Sequence, residues 1–552
     1  MEAHFDKVFE AETKKPRESA PREERHARSS KRVKHSVPED RVMAEKDDED
    51  ETDLTLNARV VKQMVASLEK KMQKNDLMRS KYENDPSKFM ESEIALHEDM
   101  TKMKDVATDP SLFQVLIEHG AIPLFVQLLT HTNMDIRMDV VALLADMTDV
   151  ERVGDMEFAQ ALVEAIVALN GLVLLCDNLA TLTASDDDDD DDEKRTAVYN
   201  TLHIVENLAE LEPECCRAMA TSTPMLTILL HQCNVKGGEM TENRLYCSEI
   251  LSIVLQSSDD DTCMALVAAP GTEDRLDLIL QVLAKYRKKD PATTEEEEFV
   301  ENLFNALCSA LRVAAVQDRF RSLQGFELML RCVKENKFCT TSALRVVDHA
   351  IMNHARNCER VIEIGGLKQL FPAFMGKLKR KKKQEATQDE HLVSILATLC
   401  LWTPVESKHA VLDRFHAKFL EANLEKTDRL VDQFVKYYGR VHALPAPTLR
   451  PDDDNDNDFE EAMEGYRLHQ LEHGLFPLQQ LAFVVCHVLQ VFKSLRPHVA
   501  QTLHAHALSL ASVRDLIANQ VASLEKDGDD DTVQTHRLRD LVDAMQDNTD
   551  QS

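Results

Sequence analysis

Three kinds of residue in this chain could do chemistry, and their spacing decides what chemistry is open to them. His469 and His473 stand four apart, which sets two imidazoles on one face of a helix where a metal ion could be held. Read as a pair without a third ligand, they are expected to be a surface coincidence, and neither a metal nor any other cofactor is expected. The 12 cysteines include no CxxC pair, and Cys215 and Cys216 are adjacent, whereas a zinc knuckle or redox motif needs a different spacing. They read as reduced, mostly buried thiols of the cytosol or nucleus, with no neighbouring base to activate one. Carboxylates abound, but in runs that read as solvated loops: Asp186 to Glu193, Asp259 to Asp261 and Glu295 to Glu298. No Gly-rich phosphate loop, GxSxG elbow or HExxH pair occurs, so the residues favour a binding protein over an enzyme.

What such a protein binds is constrained by charge. Against 65 Lys and Arg stand 97 Asp and Glu, a net charge of −32 over 552 residues. A field of that sign repels nucleic acid and disfavours direct contact with it, while drawing in basic segments of other proteins. The most apolar run, Leu481 to Phe492, is too short to span a membrane, and the polar stretch from Met1 to Asp50 predicts no signal peptide.

The elements that would present such a surface are helical. Between residues 116 and 149 the spacing predicts a helix ending at Gly120, a second carrying Leu124, Leu128 and Leu129, and a third carrying Ile136, Val140, Leu143, Leu144 and Met147. Gly120 would take the left-handed conformation that ends the first, and Asn133 or Asp135 would cap the third. A Gly followed four and eight positions later by apolar residues recurs at Gly171, Gly325 and Gly366, and Pro224 and Arg275 start weaker copies. These starters lie 41 to 53 residues apart, a period that predicts an all-α solenoid whose units bury their apolar faces only on one another.

Four segments follow. Residues 1–55 lack apolar periodicity and read as a disordered charged tail. Within it Lys14, Lys15 and then Lys31, Arg32 and Lys34 are spaced as a nuclear-import signal for import receptors. Residues 56–104 supply a helical N-terminal cap, with Val61, Met64, Val65, Leu68 and Met72 on one stripe. The repeats occupy 105–404, opened by the helix start Asp109-Pro110. Residues 405–552 form a helical C-terminal domain. The basic run Lys377 to Lys383 reads as a solvated loop, open to an acidic partner, RNA or the chain's own acidic loops.

KFMESE at 88–93, NTLHIVENLAE at 200–210, LYCSEILSIVLQ at 245–256, ENLFNALCSAL at 301–311, SALRVVDHA at 342–350 and GLFPLQQ at 474–480 resemble, in order, segments of the beta-catenin-like protein 1 family. These are spliceosome-associated armadillo proteins, and the resemblance runs from about residue 56 into the C-terminal region. It implies an armadillo-type α-solenoid superhelix working as a non-enzymatic nuclear scaffold in mRNA processing. The implied partners are the pre-mRNA-processing factor nineteen complex and basic, import-signal-like segments of splicing factors. Among these are the cell-division-cycle-five-like Myb protein and, in vertebrates, activation-induced deaminase; self-association as a homodimer is also implied. In an armadillo unit the third helix lines the groove, which nominates Asp146, Glu206, Asn207, Glu210 and Asp348 to receive Lys and Arg of an extended peptide. The single tryptophan, Trp402, rules out an importin-type Trp ladder. A cytoplasmic import or chaperone adaptor on a similar solenoid is the alternative.

Overall fold

The computed structural model describes residues 56–150, 156–184, 192–235, 240–256, 259–267, 273–378, 385–402, 410–443, 456–526 and 532–546. Every regular element among them is a helix, and none alone is long and apolar enough to cross a membrane.

The first unit shows how the sequence sets the repeat. Its helices run Phe113–Glu118, Ala121–Leu128 and Met134–Thr148, and Gly120 between the first two has φ +74°. Asn133 is the cap of the third, its side chain accepting from the Asp135 amide at 2.9 Å. Asp109 caps the 3₁₀ turn Pro110–Leu112 in the same way, accepting from the Ser111 amide at 3.1 Å.

Three rows of helices result. Third helices stack in the order Met134–Thr148, Asp192–Leu211, Glu242–Gln256, Thr294–Ala310, Thr340–Ile351 and Glu385–Trp402, each packed on the next. Second helices Gly171–Thr183, Met225–Cys233, Arg275–Lys285, Gly325–Glu335 and Leu367–Phe374 form a parallel row. A third row joins Glu214–Thr221, Asp260–Met264, Ala314–Ser322 and Ala355–Glu363. The seam between the rows is one continuous apolar core, in which Leu175, Leu179, Ile279, Met329 and Val333 are fully buried. Ala58–Lys81 and Met90–Val106 pair at the N-terminal end, and the second of them packs on Met134–Thr148; Val61, Val65, Leu68 and Met72 are buried there.

The expected boundary at residue 404 lies outside the described residues, and packing continues on both sides of it. Ala410–Ala417 packs on Ala355–Glu363 and extends that row, and Leu475–Val491 extends the third-helix row from Glu385–Trp402. Around that last helix, buried along almost its whole length, sit Glu425–Val441, Leu510–Lys526 and Val533–Gln546.

The glycine frame needs a correction of one residue. Gly120 and Pro224 precede a second helix, whereas Gly171, Arg275 and Gly325 are its first residue. The left-handed turn before the helix is made by Asn170 (φ +57°), Gln324 (φ +61°) and Gly365 (φ +82°). The next residue is glycine for a different reason, which is close approach to the residue five positions earlier. A Cβ at Gly171 would stand 2.8 Å from the Ile166 carbonyl oxygen, one at Gly366 2.7 Å from that of Val361, and one at Gly325 inside the Phe320 ring. Gly366→Ala is therefore expected to cost about 1–3 kcal/mol, because backbone cannot step aside as a flexible side chain can. A denaturation midpoint equal to that of the parent chain would show that the hairpin relaxes freely.

Two acidic runs also need correction. Asp259–Asp261 and Glu295–Glu298 are helix starts, not loops. Asp259 caps Asp260–Met264 through the Thr262 amide at 3.2 Å, and Glu295, Glu296 and Glu297 fill the first turn of Thr294–Ala310. Negative charge there complements the helix dipole.

Candidate peptide-binding interface

The third-helix row presents polar side chains at its joints, and most of them bond across to the next helix. Ser67 and Lys71 reach Asp99 at 2.9 and 2.6 Å, and His97 and Lys104 reach Asp139 at 2.5 and 2.8 Å. Further along, Asn207 donates to Thr148 at 3.1 Å, Tyr246 to Glu206, and Asn302 to Ser248 at 3.2 Å. Ser342 and Arg345 hold Glu301 at 2.6 and 3.3 Å, Gln388 donates to Thr341 at 2.7 Å, and His391 meets Asp348 at 3.1 Å. Helices with apolar flanks must still satisfy the polar groups at their contact lines, and here the neighbouring helix supplies most of the partners.

This pattern sorts the five nominated groove residues. Asp348 is 2% exposed and bonded to His391, so it offers no carboxylate to a peptide. Burial pushes its carboxyl above the usual range, against the pull of His391 and Ser394. Asn207 is likewise buried and ties the Asp192–Leu211 helix to Thr148. Both are joints of the solenoid and not peptide ligands. Asp146 is half-buried and has interactions within the fold. Glu206 is half-buried, its carboxyl raised chiefly by burial and lowered by the Tyr246 hydroxyl. Glu210 is exposed.

Around Glu206 the structure adds residues that the sequence reading missed. The charges of Glu249 and Glu210 both bear on it, so three carboxylates from two adjacent third helices share one patch. Tyr199 and Tyr246 flank them with ring centroids 5.0 Å apart, and His203 lies 6.4 Å from Tyr199. Two tilted tyrosine rings beside crowded acids suit a guanidinium or ammonium group with its apolar stem. Glu249 lies within LYCSEILSIVLQ, and carrying the third-helix match one unit further would have found it.

The import-signal residues Lys14, Lys15, Lys31, Arg32 and Lys34 lie outside the described residues, as do 186–191 of the acidic insert and 379–383 of the basic loop. Asp192 and Glu193 open the Asp192–Leu211 helix, and Lys377 is exposed. All 12 cysteines are buried, and burial raises Cys308 and Cys332 to about 11 and Cys486 to about 12, far from a reactive thiolate. His469 and His473 have Glu472 beside them, with one ligand-type atom of each within 4.8 Å of the others.

Comparison with known proteins agrees with this architecture. Residues 40–518 match the family described as catenin-beta-like, Arm-motif containing nuclear, a span that begins before the cap. Beta-catenin-like protein 1 of Rattus norvegicus is 35% identical over 471 residues, covering 83% of this chain and 80% of the rat protein. The human protein of the same name is 34% identical over the same length and shares. A Schizosaccharomyces pombe homolog is 29% identical over 428 residues, 77% of this chain and 72% of its own. The chain belongs to the catenin-beta-like family of Arm-motif proteins.

Proposed function

We propose that this chain is a non-enzymatic nuclear scaffold of a pre-mRNA splicing complex, and that it holds basic, import-signal-like segments of splicing factors on its third-helix face. The observation that carries the reading is the patch of Glu206, Glu210 and Glu249 beside Tyr199 and Tyr246. Elsewhere along the row Asp99, Asp139, Glu301 and Asp348 are engaged by cationic or imidazole groups of neighbouring helices, whereas here the charges of Glu249 and Glu210 both oppose that of Glu206, and the patch favours an added positive charge. A Lys or Arg from an extended peptide supplies that charge. The family's description as nuclear supports the compartment, and the ordered resemblance supports the Myb-type and factor-nineteen-complex partners. Family membership gives the adaptor reading no support.

The test is fluorescence anisotropy of a labelled basic import-signal peptide against the full chain. Glu210→Lys with Glu249→Lys is expected to weaken binding about tenfold, equivalent to 1.4 kcal/mol. Two reversals placed within 186–191 should change it much less, and raising salt should weaken the parent complex. Equal losses from both pairs would mean that bulk charge alone attracts the peptide, and the interface assignment would fall.

A further inference from the structure

We propose that His469, Glu472 and His473 form a binding site for one divalent transition-metal ion, zinc by donor preference, which fixes the elbow between Asp456–Glu472 and Leu475–Val491. The offsets of three and four put all three side chains on one helical face, and their ligand-type atoms lie within 4.8 Å of one another. Donors around a tetrahedral zinc lie roughly 3.3 Å apart for bonds of about 2.0–2.1 Å. Small side-chain rotations at an exposed site close that gap.

A second observation concerns how one imidazole is already held. His473 Nδ1 lies 2.8 Å from the His469 carbonyl oxygen, where an N–H can donate. That bond selects the tautomer whose Nε2 lone pair is available, which is the arrangement found behind metal-bound histidines. The neighbouring imidazole of His469 sits with its centroid 3.8 Å away. Two imidazoles and one carboxylate select zinc-like ions over calcium or magnesium, which prefer all-oxygen shells. A fourth position is left for water or for a donor from another protein.

The position within the fold gives the site a consequence. His469 and Glu472 belong to the last turn of one helix, while His473 stands in the turn that leads to the next, across a bend of 71°. Gly474 has φ +99°, and the Tyr437 ring occupies the space a Cβ would need, 2.6 Å from it, so the turn is seated on Glu425–Val441. The arm before the turn is packed lightly: Met463 and Leu468 are 39% and 60% exposed, and Arg467 reaches Ser523 at 2.6 Å. An ion bridging the last helical turn and the seated turn would hold that arm at one angle.

The experiment uses the full chain without an affinity tag. Zinc is titrated in competition with a chromophoric chelator, and cobalt(II) is added separately as a spectroscopic probe. We expect one equivalent bound, visible cobalt absorption of a four-coordinate nitrogen and oxygen set, and loss of both in His469→Ala/His473→Ala. Glu472→Gln should weaken zinc at least about tenfold, since loss of a mere outer-shell partner already costs that much. Because Glu472 and His473 are exposed and His469 is half-buried, helical circular dichroism should be unchanged in all variants. Hydrogen exchange across 463–474 should slow when zinc is added. Absence of binding at roughly 100 μM zinc, a ΔG weaker than about −5.5 kcal/mol, would overturn the site. So would an unchanged equivalent in the double-alanine chain, while unchanged exchange on binding would overturn the elbow.

Discussion

Asp348→Lys is expected to unfold the repeats that meet at its site, at a cost of about 3–5 kcal/mol or more. A lysine there would place an unpaired cation where the carboxylate is 2% exposed, facing His391 in place of an acceptor. Asp348→Asn should cost only about 1 kcal/mol, because an amide oxygen still accepts from His391 and no buried charge has to be maintained. The direction of the carboxyl's shift, upward through burial, says the same thing: the charged form is the expensive one here. Hydrogen exchange separates the outcomes, since the lysine variant should lose protection in Thr340–Ile351 and Glu385–Trp402 together. A lysine variant that keeps the parent's protection would mean that the side chain turns to solvent. The distinction matters for binding studies, because a charge reversal at Asp348 would abolish peptide capture by unfolding and imitate a groove residue.

The second large effect is a loss of stability in acid, to which a buried pair of histidines in the C-terminal helices contributes. Arg537 donates to His487 Nδ1 at 3.2 Å and to Gln490 at 2.7 Å, and His487 Nε2 lies 3.0 Å from His416 Nε2. With Nδ1 accepting, His487 must donate through Nε2, so His416 accepts and both rings are neutral. Burial, then the neighbouring His416 and Arg537, hold His487 well below its ordinary value. Burial and Arg537 lower His416, which Asp413 partly offsets. Between the folded values and 6.5 the unfolded chain binds more protons than the folded one, so this contribution is complete above pH 6.5 and declines as pH falls. The slope is about 1.4 kcal/mol per pH unit for each fully titrating histidine. Urea unfolding at pH 7.5, 6.5 and 5.5 should show that decline in the parent chain, and a shallower one in His416→Gln/His487→Gln. Parallel slopes in the two chains would place the acid sensitivity elsewhere.

The helical stripes were legible because burial at i, i+4 and i+8 needs only local sequence, and Leu175, Met329 and Leu370 fall where that stripe puts them. The frame slipped by one because glycine marks two different demands. At 120 it answers a positive φ, while at 171, 325 and 366 it answers a crowded contact, and the letter is the same. The acid face was half legible. Glu206 and Glu210 could be placed on the third helix by periodicity, but whether a carboxylate there is offered or engaged depends on residues some forty positions away. Tyr246 decides it for Glu206 and His391 for Asp348, and neither is visible from the helix that carries the acid. Glu472 was overlooked for a simpler reason. Histidines four apart were sought as a pair, and the carboxylate one position before the second of them was not counted.

The bonds between successive third helices have a consequence for ancestry. Asn207 donates to Thr148, Asn302 to Ser248 and Gln388 to Thr341, and in all three an amide of the later helix meets a hydroxyl of the earlier one. The same part is thus reused with the same polarity. Such a joint does not tell one neighbour from another, so it sets the direction of the array without setting the order of its units. It is the mark expected of an array that grew by copying one unit.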